Sequence, residues 1–380
     1  MKALFFVILI ALCCAANVSA TTLHVPYEYP TIQDALDASV YADTVLIAPG
    51  TYTGDRNINL DVWHPIQLAS ESGNPSDVII DGENRAARAV ISHQGFDLVG
   101  VTLTRFNSEM GDGTYGVFLN NVGYESAIIN CVIRECRNGI VYVGPFSNSK
   151  IYIRNSLIEN NTVDISERAL IVSQNTGSVF MWDTIIRNNQ CAGPALVLLL
   201  SNSTTTVERC TITNNTTPST DVATIWARNG GTLAITSTAI TGNGAVGLAR
   251  SYGPAVLVNT TIAGNVSPLI QSGSGINGHE ANFSLDHCIV WGNIGSPDIL
   301  IDIGGVSANC SDFPNDTPDG NNISVDPMFC DSVHGDYSLR DVSPALHQDC
   351  GPMGAYTQPG CVTPTAVQPT TWSAIKAQYR

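Results

Sequence analysis

Four aspartates stand in pairs at a spacing that can do chemistry. Asp77 and Asp81 fall within SDVIIDGENRAAR, and Asp298 and Asp302 within SPDILIDIGG. Two carboxylates at a suitable separation supply an acid and a base, or oxygen ligands for a cation. The same residues are also ordinary turn chemistry, since Asp-Gly after a β-branched run ends a strand. A second set is Arg134, Glu159 and Arg187, which alternate in sign at one recurring position, with Trp291 at that position further on. Such a column either lines a ligand groove or forms a surface charge ladder that adds little stability. Trp63, Trp182 and Trp226 would offer further stacking faces for a sugar ring. The stretch NDTPDGNN (315–322) is rich in oxygen ligands, so calcium is the one cofactor these residues offer, held loosely and without EF-hand spacing. The histidines show no ligand spacing, and no Cys-x-x-Cys pair marks a zinc site. GDGTYG and GSGING match a dinucleotide-binding pattern, but neither opens a helix after a strand.

The composition narrows the partners. The chain has 33 acidic against 17 basic side chains and a formal net charge of −16. Nucleic acid and anionic membrane surfaces both need a basic face, so neither is expected as a partner. Lys2, the apolar run Ala3 to Ala16 and the small residues of NVSA read as a signal peptide over 1–20. No later run is long enough to span a membrane; ALVLLL (195–200) is of strand length. The expectation is a secreted or cell-surface monomer.

A repeat must position these residues. The apolar anchors Leu103, Ile133, Ile158, Ile186, Ile212, Ile240, Ile262 and Val290 recur at intervals of roughly 22 to 30 residues. Two residues before each stands a small side chain: Val101, Cys131, Ser156, Thr184, Cys210, Thr238, Thr260 and Cys288. Strand residues two apart face the same way, so both columns point inward. Thr104, Arg134, Glu159, Arg187, Thr213, Thr241, Ala263 and Trp291 then point outward. Three residues after the later anchors come Asn161, Asn189, Asn215, Asn243, Asn265 and Asn293. Asparagine suits the left-handed conformation of a sharp turn, and stacked amides can bond coil to coil. The pattern predicts an all-β fold, a right-handed parallel β-helix of about ten to twelve coils.

Exposed solenoid ends invite further pairing. Thr31 and Asp34 form a helix N-cap pair, and Ile32, Ala35 and Leu36 an apolar face, so a short helix is expected to cap the first coil. The predicted organisation is signal peptide 1–20, β-helix with its cap 21–306, a disulfide-bearing closing segment 307–361, and a Pro/Thr linker with a short tail 362–380. Cys131, Cys210 and Cys288 lie several coils apart in the small interior column and read as buried thiols; Cys136 and Cys191 are expected unpaired. Cys310, Cys330, Cys350 and Cys361 allow three pairings, of which the sequence-near one, Cys310 with Cys330 and Cys350 with Cys361, is favoured.

The stretch YPTIQDALDAS…DTVLIAPGTY resembles the opening of pectin-lyase-like β-helix proteins, including pectinesterases. CTITNN and TAITGN resemble the repeats of that superfamily, and NNISVDPMFCDSVHGDYSLRDVSPAL the closing segment of many secreted bacterial members. The resemblance covers roughly residues 24–361 and implies the fold. It does not carry an activity across. The Gly-Asp-Phe-Ile-Phe-Gly stretch of pectinesterases is absent, as are the Asn-Thr-Asp-Gly and Gly-His-Gly patterns of polygalacturonases. The leading expectation is therefore a non-enzymatic carbohydrate-binding or adhesive module with an extracellular polysaccharide or cell-surface partner. A divergent polysaccharide lyase or glycoside hydrolase is the alternative, and a structural spacer the third reading.

Overall fold

The computed structural model describes residues 19–361 except 87, 108–117, 121–123, 144–148, 165–168, 174–175, 200–202, 218–221, 268–272, 296 and 315–320. The signal-peptide residues up to 18 and the tail 362–380 lie outside the described residues.

The chain winds as a parallel β-helix with three faces. The first is a 10-stranded sheet of short strands running from Gly50–Tyr52 to Ile289–Trp291. The second face carries longer strands, among them Thr44–Ile47, Ile66–Ser70, Phe96–Val99, Glu125–Ile129, Lys150–Arg154 and Ser178–Trp182. The third runs through Leu60–Val62, Val90–Ser92, Val141–Val143, Ile171–Ser173 and Ala223–Ala227. Pairing is parallel on each, so every coil repeats the one before. Such crossovers between parallel strands are right-handed, as the twist of L-residue strands requires. In the last coils the third and second faces merge into single long strands, Val246–Val258 and Ile276–Asp286. Solenoid pairing continues past 306 to Asn309.

The interior columns are where the repeat places them. Leu103, Ile133, Ile158, Ile186, Ile212, Ile240 and Ile262 are fully buried, and they stand in register on neighbouring strands. The small-residue column is bonded as well as buried: Cys131 N–H donates to Ser156 Oγ at 3.1 Å, and Cys210 N–H to Thr238 Oγ1 at 3.2 Å. Burial pushes the thiols of Cys131, Cys136 and Cys288 up to about 12, so they are inert filler.

The paired asparagines divide two tasks between them. The residue in the left-handed conformation is not the third after the anchor but the one before it: Asn160, Asn188 and Asn214, then Gly242, Gly264 and Gly292. The following Asn161, Asn189, Asn215, Asn243, Asn265 and Asn293 turn inward and are buried. Asn189 Nδ2 donates to Asn215 Oδ1 at 2.9 Å and to the Ile158 carbonyl at 3.0 Å. Asn189 Oδ1 in turn accepts from the Asn161 backbone at 3.0 Å and from Asn161 Nδ2 at 2.9 Å. Every polar atom of this buried amide is used, as a dry interior demands.

Both ends are closed. The helix Ile32–Ala38 starts at Thr31, whose side chain accepts from Asp34 N–H, and it buries Ile32, Ala35 and Leu36. At the other end residues 307–361 fold back over the short-strand sheet. Met353, Leu339 and Ala345 pack there with Ile289. The disulfides are Cys310–Cys350 and Cys330–Cys361, with Cα separations of 6.1 and 6.0 Å. This corrects the sequence-near pairing. The stretch around Cys350 returns to the last coil, where its carbonyl meets His287 Nε2 at 2.8 Å. Cys330 and Cys361 lie on the two strands flanking Asp336–Arg340.

Asp312 sits where the last coil meets this segment, with no exposed surface and one carboxylate oxygen unpartnered. Burial raises it to about 7. The folded state therefore holds this proton more tightly than the unfolded chain, and stability falls as pH rises from about 4 to 7. Thermal melts should show Asp312→Asn stabilising the protein at pH 8 and changing little at pH 4. In the ladder, Asn215→Ala leaves at least two buried groups unpaired and should cost roughly 3 kcal/mol by denaturant titration. Asn214→Gly, at the left-handed position, should cost under about 1 kcal/mol by the same measurement.

Candidate functional site

The paired aspartates of the sequence each have a different partner. Asp77 sits at a turn, taking a 3.3 Å bond from Asn74. Asp81 is buried at the far end of the same strand, Val78–Asp81, in an ion pair with Arg105 that holds it below its ordinary value against its burial. Asp298 caps the asparagine ladder: its Oδ1 accepts from Asn293 N–H at 2.8 Å and from Asn293 Nδ2 at 2.6 Å, standing in for the next asparagine. Asp302 lies beyond the other end of Ile299–Ile301 and pairs with His279. Glu159 is taken by Arg187 at 2.8 Å, and Arg134 stands beside it in register, so this column is a charge ladder. Trp291 is half-buried under the closing segment. Most of NDTPDGNN lies outside the described residues. Cys310 and Cys350 gather with His287, but their sulfurs bond each other, so they offer no thiolate for a metal.

The strongest constellation is one that the linear sequence does not display. On the second face the outward residues Gln67, Asp97, Ala127, Tyr152 and Phe180 stand side by side on successive coils. Adjacent strands are about 4.8 Å apart. Ala127 fills almost none of its place, so a gap about two strand spacings wide opens between Asp97 and Tyr152. This gap belongs to a groove of about 710 Å³ whose walls include Gln67, Tyr124, Glu125 and Arg154, with Tyr41 at its end. Gly95 permits the narrow corner leading to Asp97: its φ is +109°, and a Cβ there would lie 2.6 Å from the Glu125 carbonyl.

Three features give the groove chemical character. Burial raises the Asp97 carboxyl above its ordinary value, against the opposing pull of the Ala127 N–H and the Arg154 charge. A carboxyl so placed keeps its proton to higher pH and can donate it. Glu125, diagonal to Asp97 on the next coil, is held by Lys150 Nζ at 2.8 Å. One strand across and two residues along, the Cα atoms of the two residues lie about 8 Å apart. Beyond the gap, Tyr152 stacks on Phe180 at 5.2 Å and Phe180 on Trp182 at 5.8 Å. The Arg154 guanidinium lies 5.2 Å from the Tyr152 ring and 4.8 Å from that of Trp182, and among the described residues it meets no carboxylate within ion-pair distance. Of the tryptophans expected to stack, Trp182 adjoins the groove. Trp63 stacks on His93 at 3.9 Å, and Trp226 is covered by Arg228 at 3.6 Å.

These features define a parallel β-helix with an acidic, aromatic-walled groove on its second face. No family model matches the chain, and no curated protein matches its sequence. Among solved structures it is similar to a pectate lyase, at 12% identity and a TM-score of 0.47, over 85% of this chain and 90% of that one. It is also similar to the pectin methylesterase of Aspergillus niger, at 15% identity and a TM-score of 0.36, over 82% and 91% of the two chains. A mannuronan C-5 epimerase module of Azotobacter vinelandii aligns at 14% identity and a TM-score of 0.25, over 78% and 94%.

Because the Arg154 charge holds the Asp97 carboxyl down, Arg154→Ala should raise the Asp97 pKa further. Carboxyl-carbon NMR titration of the two proteins measures the shift directly.

Proposed function

We propose that this chain binds an extended polysaccharide along the groove and cleaves it, with Asp97 as the proton donor. The observation that carries this reading is the half-buried Asp97 carboxyl, raised by its surroundings, beside a gap bounded by Tyr152. This reading takes the hydrolase side of the lyase-or-hydrolase alternative in preference to the module without activity. Asp97 gives its proton to the glycosidic oxygen as the bond to the anomeric carbon breaks. A water attacks that carbon from the opposite face and passes its proton to Glu125.

Asp43, Asp97 and Glu125 all line the groove, and Lys150 already answers Glu125. Arg154 is the one basic side chain among the lining residues, and three acids against one base favour a neutral glycan over a polyanionic one. Two disulfides fit an oxidising compartment and support an extracellular substrate. Among the described residues no helix is long and apolar enough to cross a membrane. The row of Tyr152, Phe180 and Trp182 favours a second reading, glycan binding without turnover.

The test is a panel of neutral and acidic polysaccharides, scored for binding and for released reducing ends. Asp97→Asn should lower product release by about 10²-fold or more while binding stays within a few-fold. Binding by the native chain with no product would establish the second reading. Binding to no polymer, or product release unchanged in Asp97→Asn, would overturn the proposal.

A further inference from the structure

Four side chains of different chemistry stand in one outward row across the last coils, on the third face. Ser251 and His279 are register partners on the long strands Val246–Val258 and Ile276–Asp286. Gly278 partners Ile301, so Asp302 follows His279 in the row. Ala227 partners Arg250, so Arg228 stands on the other side of Ser251. Paired strands are about 4.8 Å apart. The row therefore reads cation, hydroxyl, imidazole, carboxylate.

The imidazole is committed on one side and open on the other. Its Nδ1 lies 2.5 Å from Asp302 Oδ2, while Asp302 Oδ1 accepts from the Ile303 N–H at 2.6 Å. The His279 contact holds Asp302 below its ordinary value, so the carboxylate is ionised and only accepts; Nδ1 carries the proton. In the neutral ring Nε2 then keeps a lone pair, and among the described residues it meets no partner. Tyr252 holds the ring edge-on at 5.4 Å. The Ser251 hydroxyl is equally uncommitted. It accepts a long bond of 3.4 Å from Trp226 Nε1, and its own proton has no acceptor among the described residues. The Arg228 guanidinium lies 3.6 Å from the Trp226 ring centroid and, among the described residues, meets no carboxylate within ion-pair distance.

We propose that this row is a second active site, which hydrolyses a short-chain acyl ester with Ser251 as nucleophile, His279 as its base and Asp302 positioning the imidazole. Ser251 Oγ attacks the ester carbonyl and gives its proton to His279 Nε2. Arg228 answers the negative charge that develops on the carbonyl oxygen. As the bond to the alcohol breaks, His279 returns the proton to the leaving oxygen. A water then gives a proton to the same Nε2 and attacks the acyl-serine; the acid leaves as Ser251 regains its hydrogen. His279 and Asp302 are 46% and 52% exposed, so the acyl group meets open surface, which favours a short chain.

The test uses p-nitrophenyl acetate as substrate and a fluorophosphonate as the covalent probe, both on the full chain. The native protein should release p-nitrophenol and carry the probe on the Ser251 peptide by mass. Ser251→Ala should lose both, and His279→Gln should lower kcat by about 10³-fold. Asp302→Asn should lower kcat by about 10²-fold or more while KM stays within a few-fold, which a merely structural role would not produce. His279 and Asp302 are exposed, so these two variants keep the test valid should Ser251→Ala fold poorly. No turnover by the native chain, probe on another residue, or release retained in Ser251→Ala would each overturn the proposal.

Discussion

The buried asparagine ladder is the constraint on which the rest depends. A parallel β-helix has no intrinsic register between coils beyond backbone pairing, and a slip of one residue would turn each interior column outward. The amides of Asn161 through Asn293 forbid that slip. Each bonds the next coil and a strand carbonyl of the coil before it, inside a buried column. A displaced coil would leave buried donors and acceptors unpaired, at about 1–3 kcal/mol each. Asp298 ends the series because its Oδ1 accepts what the next asparagine would have accepted. A residue whose spacing invited a catalytic reading is thus the terminator of the scaffold.

Once the coils are in register, outward side chains form straight columns, and the site is a local departure within one of them. Gln67, Asp97, Tyr152 and Phe180 would make a continuous ridge; Ala127 interrupts it and leaves the gap. The burial that raises Asp97 follows from its place on the floor of this groove. The neighbouring Arg154 lies against the rings of Tyr152 and Trp182, meets no acidic partner among the described residues, and lines the groove. The same scaffold stacks Arg134, Glu159 and Arg187 in register on the first face as a charge ladder.

The periodic parts of the structure were legible because they are written in every coil. The inward isoleucines, the small column, the Thr31 cap and the inert buried cysteines all stand where the spacing puts them. The turn was legible in kind but displaced by one residue, because Asn-Asn joins a left-handed residue to a ladder residue and both look alike in sequence. The groove was not legible. Its members come from the second face, which the repeat columns did not track, and they stand roughly 25 to 30 residues apart. The pairs Asp77 with Asp81 and Asp298 with Asp302 were close in sequence, but each spans a strand and faces different partners at its two ends. The disulfides failed for a related reason. Closeness along the chain says little where residues 310–361 double back across the last coil.

The most direct test of the account is hydrogen–deuterium exchange of the native chain with and without a saturating oligosaccharide drawn from whichever polymer it binds. The account predicts protection concentrated at residues 94–97, 124–129 and 150–154, the strands and corners that build the groove. Protection confined to the short-strand face would contradict it.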